Sequence, residues 1–335
     1  MEMPLVSILI PFKNTEDFLS DCLLSILKQT YQNWEVWAVD DSSSDSSWEI
    51  VSQYALNEPR INLIRNSGDG IIQALRNAYK HCKGDLITRM DSDDIMVPGK
   101  ISTLVELLLP HGEKHVAVGQ VKYFSDRGIS DGYKRYENWL NLLTEKGTNY
   151  SEIYKECVIP SPCWMVFKTD LDRCGAFESD RYPEDYDLTF RFYENSLKCI
   201  PCNKTLHHWR DYDTRTSRTS EHYAANYFLD IKLHYFLKLE YKPKRPLVIW
   251  GAGNKGKTIA KNLVERKLDF IWICDNPNKI GKDIYGKKLD HYHILKELSE
   301  PQNIITVANE KEQMAIRKFF EKLNQLPMKD YFFFC

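Results

Sequence analysis

From Leu5 to about Met90 the chain alternates short β-branched apolar runs with stretches whose apolar residues recur at helical spacing. This alternation constrains the fold more than any other feature of the sequence. Leu5 to Ile10 reads as a buried strand, and Phe18, Leu19, Cys22, Leu23, Ile26 and Leu27 follow on one helical face behind a candidate Asn14 cap. Val36 to Val39 is a second strand, and the polar loop Asp40-Asp41-Ser42-Ser43-Ser44-Asp45 leads into a helix through Ala55. Ile61 to Ile64, a helix over Ile71 to Lys83, and Leu86 to Met90 continue the pattern. Strands alternating with helices imply an α/β fold, a mainly parallel sheet flanked by helices. Ligands of such sheets collect at the carboxyl ends of the strands. The loops after Ile10, Val39, Ile64 and Met90 should therefore line one crevice.

A second α/β unit is expected beyond the basic, proline-bearing stretch Lys242-Pro243-Lys244-Arg245-Pro246. There Leu247 to Trp250, a helix over Lys255 to Arg266, Phe270 to Cys274, Ile304 to Val307 and a helix from about Lys311 to Leu323 make a small domain. The sequence thus divides into residues 1–220, a helical linker over 221–245, and a small Rossmann-like domain over 246–335. The aromatic and aliphatic run Tyr223 to Tyr241, with Tyr227, Phe228, Ile231, Tyr235 and Phe236, is read as a helix packing the domains together in preference to one lying on a membrane surface. Gly251, Gly253 and Gly256 follow a strand and open a helix, and Asp275 ends the next strand, as a dinucleotide fingerprint requires. The domain is small for a complete dinucleotide fold, so a structural or partner-binding module is favoured over bound NAD(P) or another nucleotide.

Charge and cysteine usage exclude several classes. Lys and Arg number 45 against 47 Asp and Glu, which leaves no basic footprint for nucleic acid. Apolar runs fall far short of the roughly 20 residues of a membrane span, and the start lacks a secretory pattern. Nine scattered cysteines in 335 residues read as reduced thiols. The expected location is cytoplasmic, including the inner face of a membrane, where peripheral contact and a homo-oligomer stay open. Cys199 and Cys202 with His207 and His208 form one tighter cluster, but the spacing is too compressed for a usual zinc site and buried thiols are preferred.

Chemistry concentrates in Asp91-Ser92-Asp93-Asp94, just after the strand ending at Met90. Carboxylates of Asp91 and Asp93 at a strand end can turn toward one hard cation, Mn²⁺ or Mg²⁺, which takes phosphate oxygens as its other ligands. Such an ion would act on a departing nucleoside diphosphate. A second acidic pair, Glu184-Asp185, precedes a helical run, Thr189 to Glu194, and can supply a carboxylate base for a hydroxyl acceptor. Ordinary helix N-terminal charge is the alternative reading of that pair.

Taken together and in order, several segments resemble the family-2 glycosyltransferases of the GT-A fold, from Val6 to about Arg218. They are Val6 to Asn14, Ser25 to Tyr31, Val39 to Asp45, Gly84 to Ile87 with Asp91 to Asp94, and Gly175-Ala176-Phe177 before Glu184-Asp185. The resemblance implies that Pro11, Asn14 and Asp41 border the nucleotide, that Asp91 and Asp93 hold ribose and diphosphate through the cation, and that Asp185 is the base of an inverting transfer. It also implies a nucleotide-sugar donor, UDP-linked by expectation, and a saccharide or lipid-linked acceptor in surface polysaccharide or glycoconjugate assembly. Two departures stand out. Lys13 occupies a position where many relatives carry a tyrosine or another residue, and Arg76 aligns with the family's Arg-Asn pair only at a one-residue offset. Further along, His208, Arg210 and Arg218 lie where relatives close the site, and are candidate diphosphate or acceptor contacts. Two rival functions stay in view: a nucleotidyltransferase, which would want a basic glycine-rich loop in place of Pro11-Phe12-Lys13-Asn14, and a nucleotide-binding scaffold or sensor with an inactive transferase domain.

Overall fold

A computed structural model describes residues 3–215, 218 and 228–335, and the chain divides into two compact units: Met1–Tyr150 with Val158–Arg215, and Ser151–Cys157 with Thr216–Cys335. The first begins with β1 (Val6–Phe12), α1 (Glu16–Leu27), β2 (Trp34–Asp40), α2 (Ser47–Asn57), β3 (Ile61–Arg65), α3 (Ile71–His81) and β4 (Leu86–Arg89). It continues with β5 (Ile95–Met96), α4 (Lys100–His111), β6 (His115–Val118), β7 (Gln120–Phe124) and α5 (Asp131–Lys146). After the excursion into the second unit come β8 (Trp164–Phe167), α6 (Lys168–Arg173), α7 (Glu184–Glu194), β9 (Lys198–Ile200) and β10 (Thr205–Arg210).

Its main sheet has the order β3-β2-β1-β4-β8-β6-β9. The first four strands run parallel, β8 is antiparallel to both β4 and β6, and β9 returns parallel to β6. Every residue of β1 is buried, because helices cover both faces. Val6, Ile8, Ile10 and Phe12 pack with Leu19, Leu23 and Ile26 of α1 and Leu104 and Leu108 of α4. The alternate residue Leu9 packs on the other side with Ala74, Leu75 and Ala78 of α3 and Leu188 and Phe192 of α7. A period of two in the strands against 3.6 in the helices yields this layering. A small sheet, β5-β10-β7, stands beside the main one and joins the acidic loop to the end of this unit.

The strand expected over Leu5 to Ile10 runs on through Pro11 and Phe12, with Pro11 paired in register with Val39. The helix expected from Thr189 begins five residues earlier, at Glu184, with Pro183 as its N-cap residue.

The second unit holds α8 (Phe228–Tyr235), a π turn over Phe236–Glu240, β11 (Leu247–Trp250), α9 (Asn254–Glu265), β12 (Ile271–Cys274), β13 (Asp283–Ile284), β14 (Lys287–His291), β15 (Gln302–Ile305), α10 (Glu310–Lys322) and β16 (Tyr331–Phe333). The sheet order is β13-β14-β12-β11-β15-β16, parallel throughout except for the β13–β14 hairpin. Of the aromatic run read from Tyr223, residues 223–227 lie outside the described residues. The segment Ser151–Cys157, assigned from the sequence to the first domain, packs within this unit. Tyr154 stacks on Phe334 with ring centroids 5.6 Å apart, and Glu152 pairs with Arg317 at 2.7 Å.

At the turn from β11 into α9, Gly251 has φ +127°, and a Cβ on Gly256 would stand 2.0 Å from the Gly251 carbonyl oxygen. A Cβ on Gly253 would meet nothing within 4 Å. Gly256→Ala should therefore force a backbone shift costing about 1–3 kcal/mol, read as a lower thermal midpoint. Gly253→Ala should stay within roughly 0.5 kcal/mol of wild type.

Candidate functional site

Because β2, β1, β4 and β3 are parallel neighbours, their carboxyl ends open on one edge of the sheet. After β1, Asn14 adopts a left-handed backbone (φ 52°), its side-chain oxygen accepts from the Ser44 N–H at 2.8 Å, and its own N–H donates to Ser43 Oγ at 3.0 Å. The loops after β1 and β2 are thereby tied together. Asp41 is buried at their junction. Its N–H donates to the Phe12 carbonyl at 2.8 Å, and its Oδ1 accepts from Asn66 Nδ2 at 2.6 Å and the Gly70 N–H at 2.9 Å. Lys13 Nζ stands 3.4 Å from Asp41 Oδ2. Asn66 is itself oriented by Asn77, which donates to its oxygen at 2.7 Å.

The acidic loop after β4 places its three aspartates in three different environments. Asp91 Oδ1 accepts from Arg89 Nε at 3.0 Å, and the other side of the same guanidinium donates through Nη1 to Glu184 Oε1 at 2.8 Å. Arg89 is buried, and Asp91 and Glu184 raise its pKa despite the loss of water. Asp93 accepts from the Tyr212 hydroxyl at 2.9 Å. Burial first, and then the charge of Asp94, push its carboxyl up to about 7. Asp94 is fully buried: Oδ1 accepts from the Arg210 N–H at 2.8 Å, and Oδ2 lies 2.9 Å from His207 Nε2.

Behind Asp94 the network runs on to Lys100, whose Nζ lies 3.2 Å from His207 Nδ1 and donates to the Pro162 carbonyl. Burial, with Lys100 next, depresses the His207 pKa well below its ordinary value. A neutral ring that accepts from Lys100 at Nδ1 would carry its proton on Nε2, aimed at Asp94. Burial also lowers the Lys100 pKa.

Glu184 and Asp185 open α7, where the positive end of the helix dipole favours them. Glu184 is buried against Arg89, whereas Asp185 is half-buried and accepts from the Tyr186 N–H at 2.8 Å. Burial, then the neighbouring Glu184, push the Asp185 carboxyl up to about 7. The approach to α7 is fixed by Arg191, which pairs with buried Asp187 at 2.8 Å and donates to the carbonyls of Cys174 and Ala176. Gly175 and Ala176 both have positive φ at that turn. The Gly175-Ala176-Phe177 segment thus acts as a corner ahead of the acidic helix start.

Of the candidates named from the sequence, Asp91 and Glu184 meet at Arg89, with Asp93 two residues further along the loop and Asp185 beside Glu184. Asn14 and Asp41 frame the neighbouring strand ends, and Pro11 is buried within β1. Arg76 is turned to other work. Its Nε donates to the Phe177 carbonyl at 2.7 Å, and its Nη2 donates to the Glu178 carbonyl and to Asp180, each at 2.6 Å, so it holds the corner before α7. Arg210 binds the Asp93 carbonyl at 2.8 Å and Asp21 at 3.0 Å, and its guanidinium lies over Phe18 and Phe124. His208 points away from its neighbour His207 and sits edge-on to Phe124, while Arg218 is exposed. Cys199 and Cys202 are buried thiols, and both nitrogens of His207 are engaged elsewhere, so these residues do not converge on a metal. Among the described residues no group of three or more His, Cys, Asp or Glu is arranged around a metal position. In the second unit Asp275 is exposed at the end of β12, and the Gly251 carbonyl accepts from Trp272 Nε1 at 2.8 Å.

Sequence reasoning missed Arg89, Lys100, Asn66 and Tyr212. Two of them carried a signal. Arg89 ends a strand that is otherwise apolar or small, and Lys100 lies on the same helical stripe as Ile101, Leu104, Val105 and Leu108. A charge at a position patterned for burial needs partners.

A family model described as Glycosyl transferase family 2 matches residues 7–175. The chain is 40% identical over 223 residues to WcaA of Escherichia coli (strain K12), whose name assigns it as a colanic acid biosynthesis glycosyl transferase. The match covers 61% of this chain and 72% of that protein. It is 26% identical over 211 residues to glycosyltransferase GlyA of Streptococcus pneumoniae, covering 61% of this chain but only 30% of the relative's length. In fold it is similar to S. aureus TarS 1-349 in complex with UDP-GlcNAc (TM-score 0.54, 18% identity, 71% of this chain and 68% of the other). It is also similar to the mannosyltransferase PcManGT from Pyrobaculum calidifontis with GDP-Man and Mn²⁺ (TM-score 0.53, 18% identity, 71% and 64%).

The Lys100 network yields a stability test. Lys100→Met removes the donor to His207 and the Pro162 carbonyl and takes away one of the positive charges that act on Asp94, leaving that of Arg215. Breaking such a buried ionic network from one side should cost about 3 kcal/mol, measured as a drop in the thermal midpoint of the full chain. A midpoint equal to wild type would show that the network contributes nothing to stability.

Proposed function

The chain belongs to glycosyl transferase family 2, and from that premise we propose that it transfers a sugar from a UDP-linked donor to a hydroxyl acceptor with inversion, in surface polysaccharide or glycoconjugate assembly. The observation that carries this reading is the convergence of the acidic loop after β4 with the acidic start of α7, joined through Arg89. In this reading donor-facing and acceptor-facing carboxylates are brought together by an ion pair between residues 95 positions apart, Arg89 and Glu184.

In this reading Asp41, held rigid by Asn66 and Gly70, faces the nucleobase, with Lys13 alongside it and Pro11 and Asn14 at the rim. Asp91 and Asp93 each have one carboxylate oxygen engaged, by Arg89 and Tyr212 respectively, and one without a hydrogen bond among the described residues. Two free carboxylate oxygens on one loop, one of them on a side chain whose negative charge is poorly compensated, suit a hard cation that completes its shell with diphosphate oxygens and water. Bound there, Mn²⁺ or Mg²⁺ would stabilise negative charge on the departing nucleoside diphosphate. Asp185 takes the proton of the attacking hydroxyl. Its Oδ2 makes no hydrogen bond among the described residues and is open to the acceptor, and its raised pKa makes it a stronger base once ionised. A saccharide or lipid-linked alcohol meets the requirement for such an acceptor.

The second unit we read as a Rossmann-like module with a structural or partner-binding role. The close approach of Gly256 to Gly251 supports that role, since packing accounts for both glycines without a ligand. Among the described residues no helix is long and apolar enough to cross a membrane.

The test is release of UDP from a panel of UDP-sugars, with water as the hydroxyl that receives the sugar, in the presence of Mn²⁺ or of chelator. Asp91→Ala should abolish metal-dependent release, and Asp185→Asn should lower turnover by about 10²–10⁴-fold. The base must be ionised, so with a carboxyl near 7 the wild-type rate should climb as pH rises through about 7 and then level off. A rate that is flat between about pH 5 and about pH 9 would remove Asp185 from the role of base.

A further inference from the structure

We infer that Arg89 is a positioning residue that clamps Asp91 to the start of α7 through Glu184, so that Glu184 serves as its counter-ion and Asp185 alone is left to take the acceptor proton. The inference rests on the reading of Asp91 as donor-facing and Asp185 as the base.

Three observations carry it. Arg89 is only 5% exposed and comes from the last residue of β4, a strand fixed between β1 and β8. Its planar fork meets two carboxylates at once: Nε and Nη2 each lie 3.0 Å from Asp91 Oδ1, and Nη1 lies 2.8 Å from Glu184 Oε1. A guanidinium can hold two such partners at a fixed angle, which the point charge of a lysine cannot. The adjacent acids then differ in kind. Glu184 is buried with an oxygen committed to Arg89, while Asp185 is half-buried and, among the described residues, its side chain accepts one hydrogen bond, from the next backbone N–H. Successive residues at a helix start diverge by about 100°, so anchoring Glu184 on Arg89 turns Asp185 to a different direction. The distance between donor and base is therefore set by one rigid side chain.

The experiment uses the full chain with Arg89→Lys, Glu184→Gln and Asp185→Asn. Binding is probed with UDP and Mn²⁺, turnover by UDP release from UDP-GlcNAc, UDP-glucose and UDP-galactose, and folding by thermal midpoint. Arg89→Lys keeps the charge but loses the fork. It should lower kcat by about a hundredfold, as a displaced reacting group does. KM and UDP affinity should change by no more than about twofold, and the thermal midpoint should stay close to wild type. Glu184→Gln, which still offers an oxygen to Arg89, should keep most of the turnover that Asp185→Asn loses. Wild-type kcat in Arg89→Lys would overturn the inference, as would a loss confined to KM or one that tracks unfolding. So would a Glu184→Gln variant as inactive as Asp185→Asn. Full turnover in Asp185→Asn would instead sink the assignment of the base, whatever Arg89→Lys does.

Discussion

A guanidinium buried between two carboxylates holds the acidic residues of this site together. Asp91, Glu184 and Asp185 come from two elements far apart in sequence, and packed without compensation they would repel one another in a region poor in water. Arg89 supplies the positive charge, the amino-terminal end of α7 adds a partial one, and each has a direction as well as a sign. Burying such a triad is expensive in desolvation and adds little to net stability. Its return lies in geometry, since three N–H donors on one plane leave the β4 loop and the start of α7 little freedom relative to each other.

The same loop uses a second buried network for a different end. Asp94 faces inward to His207 and Lys100, and through Arg210 it fixes the strand β10 that closes over the loop. Asp91 faces Arg89, and Asp93 is left with Tyr212 and the charge of Arg215, which does not outweigh burial and Asp94. Four consecutive residues, Asp91-Ser92-Asp93-Asp94, thus divide between anchoring and presentation. Asp94 is a structural acid, and the two aspartates on either side of Ser92 each keep a carboxylate oxygen unengaged among the described residues. The raised pKa of Asp93 follows from that division, because the positive charge in its surroundings does not offset burial and the negative neighbour.

What the sequence made legible follows from which forces are local. The strands and helices from Val6 to Arg89 could be read because both faces of the sheet are covered, so β1 is apolar throughout and each helix carries a clean apolar stripe. The family pattern stood out because its acidic residues must sit at strand and helix ends, which periodicity locates. Partners could not be read. Arg89 finds Glu184 95 positions away, Lys100 finds His207 107 away, and Arg76 reaches Phe177 101 away. Arg76 illustrates the limit: a candidate phosphate contact by alignment, it belongs by geometry to the corner that Arg191 also secures. The start of α7 was placed late for a related reason. A proline at its N-cap and three acids in its first turn read as a loop until the helix dipole and Arg89 are both considered.

The second unit shows how a motif can satisfy one requirement while resembling another. Gly251, Gly253 and Gly256 have the spacing of a phosphate-cradling turn, but two of the three are demanded by the backbone itself. Gly251 sits at φ +127° with Thr306 Oγ1 only 2.4 Å from where a Cβ would stand, and Gly256 lies against the Gly251 carbonyl. That carbonyl also accepts from Trp272, so the turn is bonded to β12 as well as packed on α9. A strand that turns directly into a helix above a parallel sheet needs those two glycines with or without a ligand. Only Gly253 has open space around it. Gly251 and Gly256 are therefore silent about phosphate, and Gly253 is the one position of the three that packing leaves open.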